Sequence, residues 1–399
     1  MQTELHPSIA DTHSGRRAQE ILRSCVHCGF CNATCPTYLA TGDELDGPRG
    51  RIYLMKEMLE AGEANAVAQN HLDRCLTCRA CETTCPSGVA YGELLEVGRS
   101  LAESAGSRGF VTDVIRRWLK AVVPDVRAFR RWATLGGWVR WLLPVRLRRQ
   151  LPEVAELRPI VGSTHERKLL VLEGCVQQVA TPTVNAALAE RLGERGFQVL
   201  TAAGEACCGS LNLHLGDEGG ARAQMRHNVD VLWPLLGELD AVLSTASGCG
   251  VTYKDYGRLL ADDADYADKA AALSAKVLDV AEFCEREELQ FDRAADVERV
   301  AWQAPCTLQH GQQVNGTVER LLERAGYALV DVADGHLCCG SAGTYSVLQP
   351  DLSERLRDAK LNALCANTPD VIATANVGCQ THLASASGIP VRHWVELLR

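Results

Sequence analysis

Eight cysteines fall in two runs with identical spacing. Each run reads C-x2-C-x2-C-x3-C-P, the first over residues 25–36 and the second over residues 75–86. Three thiolates this close in sequence can bind three corners of one iron–sulfur cubane, while the fourth, beyond a turn and followed by proline, points toward another cluster. The paired runs therefore predict two [4Fe–4S] clusters. A C-x-x-C pair also binds zinc, but the third cysteine and the Cys-Pro ending, both repeated, argue against zinc.

Each predicted cluster takes three cysteines from one run and the fourth from the other. The first cluster is assigned to Cys25, Cys28, Cys31 and Cys85. The second is assigned to Cys75, Cys78, Cys81 and Cys35. Between the runs, helical spacing predicts a helix at Ile52–Ala61, after a turn-rich loop at Gly42–Arg51. In that loop Arg49 and Arg51 either lie near a cluster and raise its potential or remain solvated.

A second set of cysteines belongs to an internal repeat in residues 161–399. Each copy has one cysteine, then Cys-Cys-Gly, then a last cysteine, and the copies are offset by 131 or 130 residues. The candidate ligands of a third cluster are Cys175, Cys207, Cys208, Cys249, Cys306, Cys338, Cys339 and Cys379. Because neighbouring side chains diverge, adjacent cysteines would bind different irons; the alternative is a buried thiol pair without metal. Cys284 and Cys365 have no counterpart and are interpreted as free cysteines.

Strands and helices alternate around the cysteines of each copy. The predicted strands are Lys168–Leu172, Asp240–Ser244, Arg299–Gln303 and Asp370–Ala373, and the predicted helices are Asn185–Leu192 and Thr317–Leu322. This alternation predicts small α/β units with parallel sheets whose cysteines lie at the carboxyl ends of strands. We therefore expect a multidomain α+β and α/β protein. It would comprise a mostly helical, bacterial-type two-cluster ferredoxin module (1–105), a helical connector (106–160) and two cysteine-rich α/β repeats (161–290 and 291–399).

The connector is basic and rich in tryptophan. Residues 110–150 carry a net charge of +8, against −17 for the rest of the chain, and hold Trp118, Trp132, Trp138 and Trp141. Helix breaks are expected at Pro124, Gly136–Gly137 and Pro144. The segment could make peripheral contact with an anionic membrane, or it could dock on a partner or on another domain. We favour docking.

Charge and composition exclude several classes of protein. The 399 residues carry a net charge of −9, which argues against nucleic-acid binding. The first residues lack the basic and apolar regions of a signal peptide, and no run of about 18 apolar residues occurs. We therefore expect a cytoplasmic protein, at most peripheral on the inner membrane. No dinucleotide fingerprint or acid–base constellation stands out, so we expect no catalytic residue for substrate oxidation.

The chain resembles a known family. Its repeat is similar to the cysteine-rich CCG domain of heterodisulfide reductase, and with the N-terminal module it resembles the iron–sulfur subunits of bacterial glycolate oxidases (glycolate dehydrogenases). The most specific stretches are CGFCNATCPTYLATGDELDGPRGRIYLMKEM (28–58), PCTLQHGQQV (305–314) and CCGSAGTYSVLQPDLS (338–353). The resemblance implies that partner subunits holding FAD oxidise glycolate to glyoxylate. This chain would pass the electrons through two [4Fe–4S] clusters to a quinone or another acceptor.

The repeat departs from the full CCG pattern, which ends in C-x-x-C. Thr252 and His382 stand where that last cysteine is expected, so each copy offers four thiolates, for a simpler cluster or as a relic site. His382 is a further candidate ligand, although a lone histidine more often packs. Alternatives are the equivalent subunit of a glycerol-3-phosphate or lactate dehydrogenase, and a thiol/disulfide enzyme like heterodisulfide reductase. The missing cysteines count against the thiol enzyme.

Overall fold

The N-terminal region is helical. The computed structural model describes residues 1–104, 108–142, 148, 151–160, 164–294 and 297–399. In the first 104 residues the helices are Pro7–Ala10, His13–Ser24, Pro36–Thr41, Pro48–Ala61, Ala66–Asp73, Ala80–Thr83 and Tyr91–Ser104. Two 3-10 turns, Phe30–Thr34 and Glu44–Asp46, complete this region. Its longest helices pack on one another around a single apolar core, and the cysteine runs lie in the connections between them.

The helix between the two cysteine runs is longer than predicted. It spans Pro48–Ala61, so the expected loop ends at Gly47 and not at Arg51. Proline suits the first helical position because its missing N–H would have no intrahelical acceptor there. The helix ends at Gly62, whose φ of 76° suits a glycine C-cap. Arg51 is thereby placed on the first turn of a buried helix.

The connector forms two helices, Phe110–Val122 and Val126–Trp138, and a 3-10 turn, Arg140–Leu142. The break predicted at Pro124 is confirmed. The break predicted at Gly136–Gly137 is wrong, because both glycines continue the second helix, and the one predicted at Pro144 lies outside the described residues. Over the ranges that the structure covers, no helix is long and apolar enough to cross a membrane.

Each repeat contains a four-stranded sheet in which every pair of neighbours is parallel. The strands of the first are β1 (Arg167–Val171), β2 (Phe197–Leu200), β3 (Ala241–Ser244) and β4 (Val277–Asp279). Those of the second are β5 (Arg299–Gln303), β6 (Ala328–Val330), β7 (Val371–Thr374) and β8 (Val391–His393). The orders β2-β1-β3-β4 and β6-β5-β7-β8 are equivalent. All four predicted strands are observed, with ends that shift by at most one residue.

Helices cover both sheets. In the first repeat they are Gln177–Ala180, Thr183–Gly193, Ser210–His214, Glu218–Leu232, Ser247–Lys254, Tyr256–Leu259, Ala267–Lys276 and Val280–Arg286, with a 3-10 turn at Trp233–Glu238. In the second they are Thr317–Arg324, Tyr345–Leu348, Pro350–Cys365 and Val377–Ala384, with a π turn at Thr307–Gly311 and a 3-10 turn at Trp394–Leu397. Both predicted helices are observed, each somewhat longer than expected.

The two repeats pack as a pseudo-symmetric pair. Helix Thr183–Gly193 of the first contacts Trp394–Leu397 of the second, and Thr317–Arg324 of the second contacts Val280–Arg286 of the first. These reciprocal contacts bury one apolar core that both sheets share. The ends of the sheets that carry cysteines approach each other across the same interface, where Gly248 N–H donates to Asn376 Oδ1 at 3.3 Å.

Candidate metal centres

The first set of four cysteines lines one pocket. Cys25, Cys28, Cys31 and Cys85 border a space of about 430 Å³ that is partly open to solvent. Cys25 caps the C-terminus of helix His13–Ser24, and the turn that carries Cys28 toward Cys31 contains Gly29 with φ 83°. A positive φ of this kind favours glycine. Cys28 is exposed, whereas the other three thiols are at least partly buried.

The second set lines an adjoining pocket. Cys35, Cys75, Cys78 and Cys81 border a space of about 310 Å³. The fourth cysteine of each run thus faces the three leading cysteines of the other run, which is the exchange that the spacing suggests. Cys81 borders both pockets, so the two sites share a wall. That these eight thiolates are the ligands stays a prediction.

The two pockets have the donors that a [4Fe–4S] cluster requires and are too wide for one zinc ion. Four thiolates around zinc at 2.3 Å lie about 3.8 Å from one another. No three cysteine sulfur atoms in the described chain lie within 4.8 Å of one another. Burial raises the pKa of Cys81 well above its usual range, and the nearby thiols of Cys78 and Cys75 raise it further. Positively charged iron shared among the four sulfurs would offset this cost.

Basic side chains surround the second pocket. Arg51 is 1% exposed, and its Nη1 lies 3.9 Å from Cys35 Sγ. Arg99 Nη2 donates to Cys75 O at 2.6 Å, and Tyr91 OH lies 3.6 Å from Cys75 Sγ. Burial alone would raise the pKa of Cys75, but Arg51 and Arg99 outweigh it and lower the pKa. Of the two arginines considered from sequence, Arg51 is therefore the one buried beside thiols.

Arg49 has a different environment. Its side chain borders the first pocket, stays 39% exposed, and pairs with Glu44 Oε1 at 2.6 Å. Both arginines pair with a carboxylate, but only Arg49 is also screened by water, so its effect on the first pocket is weaker than that of Arg51 on the second. The sequence left open whether these arginines are solvated or lie near a cluster. The structure places Arg49 partly in solvent and Arg51 beside the proposed cluster ligands.

Arg51→Gln is expected to lower the reduction potential of the second cluster, because a buried positive charge stabilises the reduced, more negative state. A lost interaction of about 1.4 kcal/mol corresponds to about 59 mV for a one-electron couple. Redox titration followed by EPR measures the shift, with Arg49→Gln as the matched control. A shift confined to the Arg49 variant would contradict this account of the two arginines.

The cysteines of the repeats form two equivalent rows of thiols. In the second repeat Cys306 Sγ lies 3.8 Å from Cys338 Sγ, and Cys339 Sγ lies 3.3 Å from Cys379 Sγ. The first repeat has the same order of thiol contacts, along Cys175, Cys207, Cys208 and Cys249. Each of the two adjacent cysteines contacts a different outer thiol, and the adjacent thiols also contact each other. Cys284 lies apart, in the apolar core that the repeats share.

The residues that replace the fifth cysteines point to other partners. Thr252 Oγ1 donates to Gly248 O at 3.1 Å, within its own helix. His382 Nε2 lies 3.2 Å from Ser353 Oγ, and burial lowers its pKa to about 4. A neutral histidine held by Ser353 is consistent with a packing role.

The thiols of the second repeat lie beside a thiol of the second pocket, whereas those of the first repeat belong to a separate apolar cluster. Cys78 and Cys306 pack with Cys338 in one small apolar cluster. Thr83 Oγ1 hydrogen-bonds His310 Nδ1 at 2.9 Å across the same boundary. Burial raises the pKa of Cys78 well above its usual range, and Cys306 adds to this rise. The two copies are therefore alike in sequence, and both contact the ferredoxin module, but only the second places its thiols beside Cys78.

Sequence reasoning missed three side chains at these sites. Arg99 and Tyr91 lie on helix Tyr91–Ser104, and Lys360, 4% exposed, lies near the thiols of the second repeat. One signal was available for Arg99, because it stands four residues after Leu95 on the apolar face of its helix. A charged residue at such a position requires a partner in the interior.

Comparisons with known proteins agree with this arrangement. Residues 21–89 match the family described as 4Fe-4S dicluster domain, and residues 169–254 and 300–384 match the family described as cysteine-rich domain. The glycolate oxidase iron-sulfur subunit of Escherichia coli (strain K12) is 48% identical over 100% of this chain and 98% of its own length. These matches and the two parallel sheets confirm the predicted fold class, and the dicluster match confirms the predicted [4Fe–4S] cofactors.

More distant relatives cover less of the chain. The probable glycolate oxidase iron-sulfur subunit of Bacillus subtilis (strain 168) is 30% identical over 90% of this chain and 87% of its own length. Lactate utilization protein A of Bacillus licheniformis is 26% identical over 56% of this chain and 95% of its own length.

Proposed function

This chain belongs to the family of glycolate oxidase iron–sulfur subunits, and from this premise we propose that it carries electrons between a flavin subunit and an acceptor. The flavin subunit would hold FAD and oxidise glycolate to glyoxylate, and the acceptor would be a quinone or a similar molecule. A [4Fe–4S] cluster takes up or releases one electron, so two clusters divide the two electrons of a hydroxy-acid oxidation. The proposed ligands are Cys25, Cys28, Cys31 and Cys85 in one pocket and Cys35, Cys75, Cys78 and Cys81 in the other.

The observation that carries this proposal is the pair of adjoining four-thiol pockets. Cys81, Pro48 and Tyr91 border both pockets, so the two sets of ligands are separated by single side chains. Thiols dominate the lining of both pockets, and the polar side chains beside them include His27, Arg49, Arg51, Arg79 and Tyr91 but, among the described residues, no carboxylate. The pockets therefore support electron transfer and not substrate oxidation.

The first pocket supplies a face for the electron donor. Cys28 reaches the surface on a loop whose flanking side chains, Val26 and Phe30, are 69% and 62% exposed. Exposed apolar side chains around a buried redox site are suited to close contact with another protein. We propose that the flavin subunit docks on this loop.

The second repeat supplies the opposite side of the path. Cys78 packs in one apolar cluster with Cys306 and Cys338, so any redox group bound by these thiols of the second repeat would adjoin the second pocket. The equivalent thiols of the first repeat have no such neighbour and belong to a separate apolar cluster. We therefore propose that a third cluster, if the repeats bind one, exchanges electrons with the ferredoxin module through the second copy.

The proposal is tested by joining the purified chain to its flavin subunits and adding glycolate under anaerobic conditions. We expect EPR signals of reduced clusters to appear, followed by quinone reduction when a water-soluble quinone is added. D-Lactate and glycerol 3-phosphate, tested in parallel, distinguish the alternative substrates. Cys284→Ser is the control variant, because that thiol lies in a core away from both pockets.

Two results would contradict the proposal. One is flavin reduction by glycolate while the clusters of an iron-replete chain stay oxidised. The other is full quinone reduction by the flavin subunits when this chain is left out. Reduction by D-lactate in preference to glycolate would keep the electron-transfer role and replace the substrate.

A further inference from the structure

Each of the two connector helices leaves part of its apolar face exposed, although Leu119, Val122 and Ala133 of the same helices are buried. The outward side chains repeat at helical spacing along each helix and into the following turn. They are Val111, Val114 and Trp118 on the first helix, and Trp132, Leu135, Val139 and Leu142 on the second helix and its turn. A helix that packs on its own protein normally points such a face inward. This surface therefore lacks a cover in the described chain.

The inward faces are held by these buried apolar side chains and by charged groups. Arg116 is 5% exposed, and its Nη2 donates to Glu103 Oε2 and to Leu215 O, both at 2.8 Å. Arg130 Nη2 donates to Gln178 O at 2.6 Å. These contacts tie the first helix to the ferredoxin module and the first repeat, and the second helix to the first repeat. The outward orientation of the apolar faces is thus fixed by specific interactions.

The outward side chains of both helices form one surface. The rings of Trp118 and Trp132 meet edge to face with their centres 5.7 Å apart. Phe110 begins the first helix, Trp138 ends the second and Trp141 lies in the turn after it, and they are 82%, 75% and 77% exposed. Clustered exposed apolar side chains of this kind mark an interaction site.

We propose that the surface formed by residues 110–142 lies on an anionic lipid bilayer, with both helices parallel to the membrane plane. Arg117, Arg127 and Arg131 are exposed beside the apolar side chains, which is the composition of helices that bind at membrane interfaces. Residues 110–142 carry a net charge of +5 while the rest of the chain carries −14. An anionic membrane attracts this basic surface and repels the acidic rest of the chain, and this asymmetry turns the connector toward the membrane.

An anionic bilayer explains this exposed surface better than docking on another domain of the same chain. The sequence favoured docking, either on another domain or on a partner. The acidic remainder of the chain leaves all four connector tryptophans exposed. Tryptophan and arginine also occur at protein interfaces, so a partner protein is the competing outcome of the experiment. The inference goes beyond the proposed function and does not depend on it, because lipid binding needs no substrate.

The test uses the full iron-loaded chain and two kinds of vesicle. One is phosphatidylcholine alone and the other is phosphatidylcholine mixed with phosphatidylglycerol. We expect co-sedimentation with the anionic vesicles only, weaker binding as salt is raised, and a blue shift of tryptophan fluorescence. The double variant Trp138→Ser/Trp141→Ser should bind the anionic vesicles at least about tenfold more weakly. The double variant Arg127→Gln/Arg131→Gln should lose most of the salt dependence of vesicle binding.

Trp233→Ser is the matched control, because that tryptophan is exposed on the first repeat, away from this surface. Iron content and circular dichroism show that each variant is folded. The proposal is overturned if the folded wild-type chain ignores anionic vesicles. It is also overturned if the connector variants lose assembly with the flavin subunits while vesicle binding is unchanged, which would assign the surface to a protein partner.

Discussion

Cys81→Ser is expected to remove about four irons per chain and to abolish electron transfer from glycolate to quinone. Cys81 borders both pockets and lies among buried thiols. A serine hydroxyl is a much poorer iron ligand than a thiolate, and among the described residues no cysteine beyond the four proposed ligands borders the second pocket. Iron and acid-labile sulfide analysis, with EPR of the reduced protein, measures the loss.

The control for this substitution is Cys284→Ser, which changes the same atom at a buried site outside both pockets. The wild-type chain gives a further answer in the same experiment. About eight irons would correspond to the two clusters of the ferredoxin module, and a higher content would assign iron to the repeats as well. Unchanged iron and EPR signals in Cys81→Ser would refute the ligand assignment, and zinc in place of iron would refute the cluster assignment.

The cysteine sets could be predicted from the sequence because their geometry is local. Three cysteines within seven residues can reach one cubane in few ways, and the proline after the fourth fixes the direction in which the chain leaves. The internal repeat was visible for the same reason, since both copies keep the strand, the Cys-Cys-Gly turn and the last cysteine. The parallel sheets follow from that alternation of strands and helices.

Other features depend on contacts between distant segments. Nothing near Cys306 in sequence indicates that the second repeat, and not the first, adjoins Cys78. The outward apolar face of the connector was also hidden, because its amphipathic pattern is the same whether the apolar side points in or out. The wrong break at Gly136–Gly137 has a similar cause, since helix capping and packing outweigh the low helix propensity of glycine.

Asp46→Ala is expected to destabilise the N-terminal module by about 3–5 kcal/mol. The carboxylate is fully buried and contacts three basic side chains: Arg51 Nη2 at 3.4 Å, His71 Nδ1 at 2.8 Å and Arg74 Nη1 at 3.1 Å. Its removal leaves the Arg51 guanidinium buried without a counter-charge, which costs more than an ordinary lost hydrogen bond. Anaerobic urea denaturation, followed by circular dichroism and cluster absorbance, measures the change.

Glu44→Ala is the matched control, because it also removes a carboxylate from this segment. The partner of Glu44 is Arg49, which is partly exposed and not buried. Its ion pair should contribute about 1 kcal/mol or less. Since Arg51 also lies beside Cys35, the Asp46 variant should lose the second cluster before the first as urea is raised. Equal effects of the two substitutions, or loss of the first cluster before the second, would show that Asp46 does not hold Arg51 beside the second pocket. Asp46 would then be an ordinary structural carboxylate, and the positive charge beside Cys35 would need another source of support.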